Sequence, residues 1–178
     1  MNLMTKYNPN VFLQNDICVF HVTCVLHDSR QSRRMEQLHI ENKKHIWLSS
    51  IEEIKLTEII NTIIKEKNIL VWAYNICKDH VHMILVCKEE ELNKIVQTIK
   101  GASARRFNQW KLSGKGFKPL ASSKRGNTQN HLWAQKFNRK QITTEKQLFN
   151  AFQYIQLNRQ KHGLSKNNSL NQIIYGTC

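Results

Sequence analysis

The stretch ILVWAYNICKDHVHMILVC, residues 69–87, is the part of the sequence that decides the predicted fold. Two apolar runs rich in β-branched residues, 69–76 and 81–87, flank the polar segment 77–79. Runs of this length that are separated by a short turn are typical of paired strands. The stretch therefore predicts an antiparallel hairpin.

Periodic segments on both sides of this hairpin extend the predicted architecture. Residues 17–26 are apolar and β-branched, which predicts a buried strand before the hairpin. Residues 51–66 and 90–110 carry apolar side chains at helical spacing, the first behind the capping-box pattern SIEE at 50–53. A short strand is predicted near 136–142. The order β-α-β-β-α-β is that of a ferredoxin-like α+β sandwich with an antiparallel sheet.

One further helix is predicted after this sandwich. It begins at Thr144, which with Gln147 again makes a capping-box pattern, and it ends at about Lys161, before Gly163. The predicted fold is therefore a ferredoxin-like sandwich with an added C-terminal helix.

The length of 178 residues and a globular composition, 40% hydrophobic and 22% charged, favour a single domain spanning 1–178. We expect its core at about 17–164 and a polar tail at 165–178. The Gly- and Ser-containing stretch 113–130 predicts a flexible internal segment.

Cysteine usage and hydropathy bear on the compartment. No run reaches the ~18–20 apolar residues of a membrane helix, and the N-terminus lacks a signal-peptide hydrophobic region. The odd cysteine count and wide spacing predict reduced thiols rather than a disulfide framework or a structural zinc site. We therefore expect a cytoplasmic protein. The cysteines are Cys18, Cys24, Cys77, Cys87 and Cys178.

The formal net charge is +14, with 27 Lys and Arg against 13 Asp and Glu. Such a surplus favours a polyanionic partner, and nucleic acid fits better than the alternative, an acidic membrane surface. Beyond a basic group between residues 30 and 44, the candidate phosphate contacts are Lys100, Arg105, Arg106, Lys111, Lys115, Lys118, Lys124 and Arg125.

The first candidate site is the pair His80 and His82. Alternate residues of a strand share a face, so the two Cβ atoms should lie roughly 6–7 Å apart. Two imidazoles so placed can bind one divalent cation. An H-x-H pattern alone is weak evidence for a metal site, and ordinary hydrogen-bonded histidines at a strand end fit it better.

The second candidate site lies on the last predicted helix. Tyr154 lies about 110° from the centre of the apolar stripe, at 100° per residue, so its hydroxyl should point away from the core. Asn158 and Lys161 follow on the same flank, which suggests a nucleophile, an oxygen ligand and a phosphate contact. An ordinary polar helix face is the alternative. The stripe consists of Leu148, Ala151, Phe152 and Ile155.

Taken together, these segments resemble the single-tyrosine transposases of the HUH superfamily, which comprise small insertion-sequence enzymes and their REP-associated relatives. The resemblance covers about 17–164. Its motifs are AYNICKDHVHMIL at 73–85, IKGASARRFN at 99–108, LWAQKF at 132–137 and YIQLN at 154–158, continuing to Gly163 and Leu164.

Asn158 makes the chain more similar to the REP-associated branch, because many insertion-sequence enzymes have Gln there. Two positions depart from the family pattern. Arg159 stands where the family often has Pro, and Asp79 stands where Asn is common. These departures leave room for an altered or domesticated role.

The resemblance implies a DNA transposase that cleaves and rejoins single-stranded or hairpin DNA. It implies that His80, His82 and Asn158 coordinate Mg²⁺ or Mn²⁺, while Tyr154 forms a 5′-phosphotyrosine link. Family members occur as homodimers that exchange the tyrosine helix and as monomers, so both states are open here. The aromatic candidates for base stacking are Trp110, Phe117 and Trp133, with core packing as the alternative.

Three other functions remain open at this stage. A replication-initiator or plasmid-relaxation nicking enzyme would use the same fold and chemistry. A non-catalytic or domesticated nucleic-acid-binding protein would bind DNA without needing Tyr154. A structural-zinc protein is disfavoured by the cysteine spacing.

Overall fold

The computed structural model describes residues 16–27, 37, 47–115 and 131–164. Within these residues the chain order is β1-α1-β2-β3-α2-β4-α3, which confirms the predicted ferredoxin-like α+β sandwich with an added helix. The elements are β1 (Cys18–Val25), α1 (Ser50–Glu66), β2 (Leu70–Cys77), β3 (His80–Cys87), α2 (Glu89–Trp110), β4 (Asn138–Ile142) and α3 (Glu145–Lys161).

The four strands form one antiparallel sheet in the order β2-β3-β1-β4. The hairpin is tighter than predicted, because Cys77 pairs with His80 and leaves a two-residue loop. β1 lies between β3 and β4, with Thr23 opposite His82. This arrangement puts β1 directly beside the strand that carries both candidate histidines.

Helices cover both faces of the sheet. Every residue of β3 is buried, which explains why its sequence is apolar without strict alternation. Met83 and Leu85 pack in the core that α1 and α2 share with one face. Ile84 and Val86 pack on the other face in a smaller core with α3. The candidate histidines continue this second face.

The start of α1 differs by one residue from the prediction. Ser49, not Ser50, is the N-cap: its hydroxyl accepts a hydrogen bond from the Glu52 backbone N–H, and the Glu52 carboxylate accepts one from the Ser49 N–H. Both serines satisfy the S-x-x-E pattern. Tertiary contacts make Ser49 the N-cap. Glu53, which would complete the box with Ser50, is buried against Arg159 and cannot reach back to cap the helix.

The start of α3 agrees with the prediction. The Thr144 hydroxyl accepts from the Gln147 backbone N–H, although the Gln147 side chain reaches the N–H of Thr143 instead of completing the box. α3 ends before Gly163, whose φ of 65° favours glycine.

Some predictions concern residues outside the described ranges. They include the polar tail at 165–178, most of the segment 113–130, and Lys118, Lys124 and Arg125. The single-domain boundary stays a prediction. Within the described ranges, none of the helices combines the length and apolar character needed to cross a membrane.

Candidate functional site

β3 and α3 bring the two predicted sets of residues together. His80 and His82 are buried, at 2% and 5% exposure, with ring centroids 4.8 Å apart. The ring of Tyr154 on α3 lies edge-on to His82, with centroids 5.2 Å apart. His80 Nε2 lies 3.1 Å from Asn158 Oδ1. The helix therefore docks beside the histidine strand, as the sequence-based hypothesis requires.

The neighbour of His80 in the turn orients its ring. The Nδ1 atom lies 2.5 Å from the Asp79 carboxylate. Donation from Nδ1–H to this carboxylate directs the Nε2 lone pair toward Asn158. Asp79 thus replaces the more common Asn with a charged acceptor, which increases the electron density available at Nε2.

Two residues of β1 orient His82 in the same manner. Its Nδ1 lies 3.0 Å from both the Thr23 hydroxyl and His21 Nε2. Because Nδ1 has these neighbours, Nε2 is the nitrogen of His82 that suits a metal ligand. Burial, and then the charge of Lys140, lower the pKa of His21, which favours its neutral form.

Asn158 is fully buried, and its side chain is held by Cys77. The Cys77 thiol donates to Asn158 Oδ1 at 2.7 Å. Burial raises the pKa of this thiol to about 12, so it remains a donor at neutral pH. Asn158 Nδ2 is buried and has no hydrogen-bond partner among the described residues. The amide thus directs its oxygen at His80 and leaves its own donor unsatisfied.

This arrangement fits a divalent cation. With its proton on Nδ1, beside Asp79, neutral His80 presents the lone pair of Nε2 to Asn158 Oδ1, so these two acceptors suit a shared cation. Their separation of 3.1 Å is close to the ~3.0 Å expected between neighbouring ligands of an octahedral ion. No three His, Cys, Asp or Glu side chains form a metal cluster in the described part of the chain. The further oxygen donor beside His80 is the amide of Asn158.

Tyr154 differs from the candidate ligands in its exposure. It is 38% exposed, which leaves room for a substrate to approach. Its ring contacts His21 at 5.8 Å between centroids, and Lys161 Nζ lies 4.5 Å from the centre of the same ring. One cation therefore stands beside the candidate nucleophile.

Polar contacts from buried side chains hold α3 on the sheet. Asn75 Nδ2 donates to the backbone carbonyl of Ile155 at 2.5 Å. Arg159 donates to both oxygens of Glu53 and to the carbonyl of Ile76. These contacts flank Asn158 and fix the part of α3 that faces the histidines.

The candidate phosphate contacts on α2 lie on the face of the sheet opposite the histidine pair. α2 packs with α1 on the face opposite α3, so Arg105 and Arg106 lie away from the histidine pair. Arg106 pairs with Glu66, and Lys111 pairs with Glu52.

Lys100 donates to the carbonyls of Ala134 and Gln135, which gives it a structural role. Arg105 is exposed. Their contacts with DNA stay predictions, as does that of Lys115.

The aromatic candidates for base stacking differ in their exposure. Trp133 is buried and donates from its indole N–H to Ser103, so it packs in the core and is not available for stacking. Trp110 is half-buried against Phe107. Phe117 lies outside the described residues.

The side chains that β1, β2 and β4 contribute to the site were not predicted from the sequence. His21 and Thr23 alternate along β1 and therefore share a face, and this pattern was visible in the sequence. The strand order was not visible in the sequence. It places β1 beside β3, and it places Lys140 of β4 opposite His21. Cys77 had no distinguishing signal.

Comparisons with known proteins identify the family of this chain. The family model described as IS200-like transposase matches residues 37–158, which is more than half of the chain. No curated protein matches the sequence. A solved structure of a REP-associated tyrosine transposase bound to a REP hairpin has a TM-score of 0.51 and 17% identity, covering 92% of this chain and 77% of that one.

A crystal structure of a protein from Deinococcus radiodurans R1, assigned as a transposase, has a TM-score of 0.45 and 18% identity. That alignment covers 77% of this chain and 87% of the other. The family match spans the histidine strand and the tyrosine helix together. The chain belongs to the IS200-like transposase family and is a DNA-cleaving enzyme of transposition.

Proposed function

We propose that this transposase cleaves and rejoins single-stranded DNA through a covalent 5′-phosphotyrosine link at Tyr154. In this proposal His80, His82 and Asn158 hold Mg²⁺ or Mn²⁺. The observation that supports it most directly is the docking of α3, which brings Tyr154 and Asn158 against both histidines.

The donor set suits both cations. Two imidazoles and one amide oxygen favour Mn²⁺ and tolerate Mg²⁺, with water and phosphate oxygens as the remaining ligands. The bound cation would neutralise negative charge on the scissile phosphate. Asp79 and Thr23 would keep the two imidazoles in the orientation that this role requires.

Tyr154 supplies the nucleophile of the proposed reaction. Its hydroxyl oxygen bonds to phosphorus and its proton leaves, while the bond from phosphorus to the 3′ oxygen of the upstream strand breaks. That oxygen takes up a proton and becomes a free 3′-hydroxyl. The covalent link conserves the phosphodiester bond energy, so rejoining to another strand needs no nucleoside triphosphate.

We further propose that the DNA is a hairpin with single-stranded flanks. The net charge of +14 supports a polyanionic ligand, and the REP-associated structure of similar fold is bound to a REP hairpin. Lys161 beside Tyr154 is suited to contact a phosphate of the cleaved strand. The exposed Arg105 would contact the duplex from the α2 side.

The proposal is tested with labelled hairpin DNA carrying single-stranded flanks, incubated with the protein and Mn²⁺ or Mg²⁺. We expect a protein–DNA band that survives denaturing electrophoresis. Tyr154→Phe should abolish this band while DNA binding on a native gel persists, and EDTA should suppress it. Cleavage that survives Tyr154→Phe undiminished would show that the nucleophile is wrongly assigned.

The same experiment separates the proposal from a non-catalytic role. A protein that only binds nucleic acid would shift the hairpin on a native gel without forming a covalent band. Its affinity would also be unaffected by EDTA and by Tyr154→Phe.

A further inference from the structure

Arg159 joins three elements of the protein at one point. Its Nη1 donates to Glu53 Oε1 and Oε2, both at 3.0 Å, and to the backbone carbonyl of Ile76 at 2.7 Å. Glu53 belongs to α1 and Ile76 to β2, whereas Arg159 belongs to α3. Since α1 and α3 lie on opposite faces of the sheet, Arg159 connects the two layers past the edge strand β2.

The environment of this contact makes it strong and directional. The side chains of Arg159 and Glu53 are only 9% and 2% exposed. A buried charge that loses its partner is costly, so each of the two holds the other in place. The carbonyl of Ile76 adds a neutral acceptor that restricts the direction from which the guanidinium can approach.

The position of Arg159 along α3 connects this anchor to the site. It follows Asn158, whose Oδ1 faces His80, and it lies five residues after Tyr154. Small displacements of reacting groups change rates strongly. A rigid attachment at Arg159 therefore restricts the position and the axial rotation of the helix that carries both groups.

We propose that Arg159 is a positioning residue, which through Glu53 and the Ile76 carbonyl fixes the tyrosine helix against the sheet that carries His80 and His82. This inference rests on the proposed function for its catalytic consequence but not for the attachment itself.

The attachment can be measured without any reaction. In hydrogen–deuterium exchange we expect Arg159→Met and Glu53→Gln to speed exchange in the C-terminal half of α3 more than in β3 and α2, where only the lower global stability acts. Lys55→Met, which breaks the exposed Lys55–Glu58 pair, is the matched control and should leave α3 unchanged. Unchanged exchange of α3 in both test variants would overturn the anchor.

The catalytic consequence is measured on the folded variants. Arg159→Met should lower the rate of covalent adduct formation by about 100-fold, while the Kd for hairpin DNA changes by less than roughly two-fold. Lys55→Met should react as the wild-type protein does. A loss that falls equally on DNA binding and on rate would point to general misfolding and contradict a positioning role.

If the wild-type protein itself forms no adduct, the proposed function fails, and the hydrogen–deuterium exchange measurement still decides the anchor.

Discussion

His80 Nε2 lies 3.1 Å from Asn158 Oδ1, although 78 residues separate the two in the chain. With the His80 proton on Nδ1, directed at Asp79, both atoms are acceptors, and a shared cation would satisfy them. The hairpin turn orients the first atom through Asp79, and Cys77 orients the second. The two atoms thus lie at about the spacing of neighbouring ligands of one octahedral cation.

Removal of the amide should therefore weaken metal binding. We expect Asn158→Ala to raise the Kd for Mn²⁺ by about ten-fold or more, since even residues that only orient ligands contribute that much. Titration followed by electron paramagnetic resonance measures this without DNA. Gln156→Ala, an exposed change on the same helix, is the control. Equal Mn²⁺ affinity in Asn158→Ala and the wild type would exclude the amide as a ligand.

The hydroxyl of Thr23 should also contribute to the binding of Mn²⁺. Thr23→Val keeps the shape of the side chain but removes its contact with His82 Nδ1. We expect Mn²⁺ affinity to fall by about ten-fold with little change in stability. Thr62→Val removes an exposed hydroxyl from α1 and should change neither quantity. If the two variants bind Mn²⁺ alike, Thr23 does not orient the ligand.

Arg159 should also contribute to global stability. Arg159→Met leaves the Glu53 carboxylate buried without its partner, which should lower the free energy of unfolding by about 3–5 kcal/mol. The exposed Lys55–Glu58 pair is the comparison, and Lys55→Met should cost about 0.3–0.5 kcal/mol. Urea unfolding measures both. Similar losses of unfolding free energy in the two variants would show that the buried pair stabilises the fold no more than the exposed pair does.

Stability should decrease in alkaline solution. Burial raises the pKa of Cys24 and Cys77 to about 12 and that of Cys87 to about 11, from an ordinary value near 9. Above pH 9 the unfolded chain loses these protons while the folded protein keeps them, so folding becomes less favourable as pH rises toward 12. Urea unfolding between pH 8 and pH 10 tests this.

The matched variant for that measurement is Cys24→Ala, which removes one of the buried thiols. It should show a smaller loss of stability over the same pH range than the wild-type protein. An identical pH dependence in both proteins would show that the Cys24 thiol does not contribute.

The local elements of this fold were predictable because they follow short-range rules. The hairpin 69–87 was recognisable from two apolar runs around a short turn, and α3 from its cap at Thr144. The off-stripe position of Tyr154 was also visible, and it corresponds to an exposed ring beside His82.

The remaining features depend on contacts between distant segments. Strand order puts Thr23 beside His82, and no local periodicity reports strand order. Arg159 was recognised only as a departure from the family pattern, since its partner Glu53 lies 106 residues away. Stacking by Trp133 stayed open in the sequence because its burial depends on how α2 and β1 pack around it, and no local pattern reports that packing.

Tyr154 should be the residue that forms the covalent bond to DNA, and mass spectrometry of the adduct identifies that residue. The adduct formed with a short labelled hairpin is digested with nuclease and protease, and the peptide that carries the residual nucleotide is fragmented. We predict a single modified residue, Tyr154, with the added mass of a 5′-phosphonucleotide. Modification of a different residue, or an adduct that persists at the same yield in Tyr154→Phe, would contradict the account.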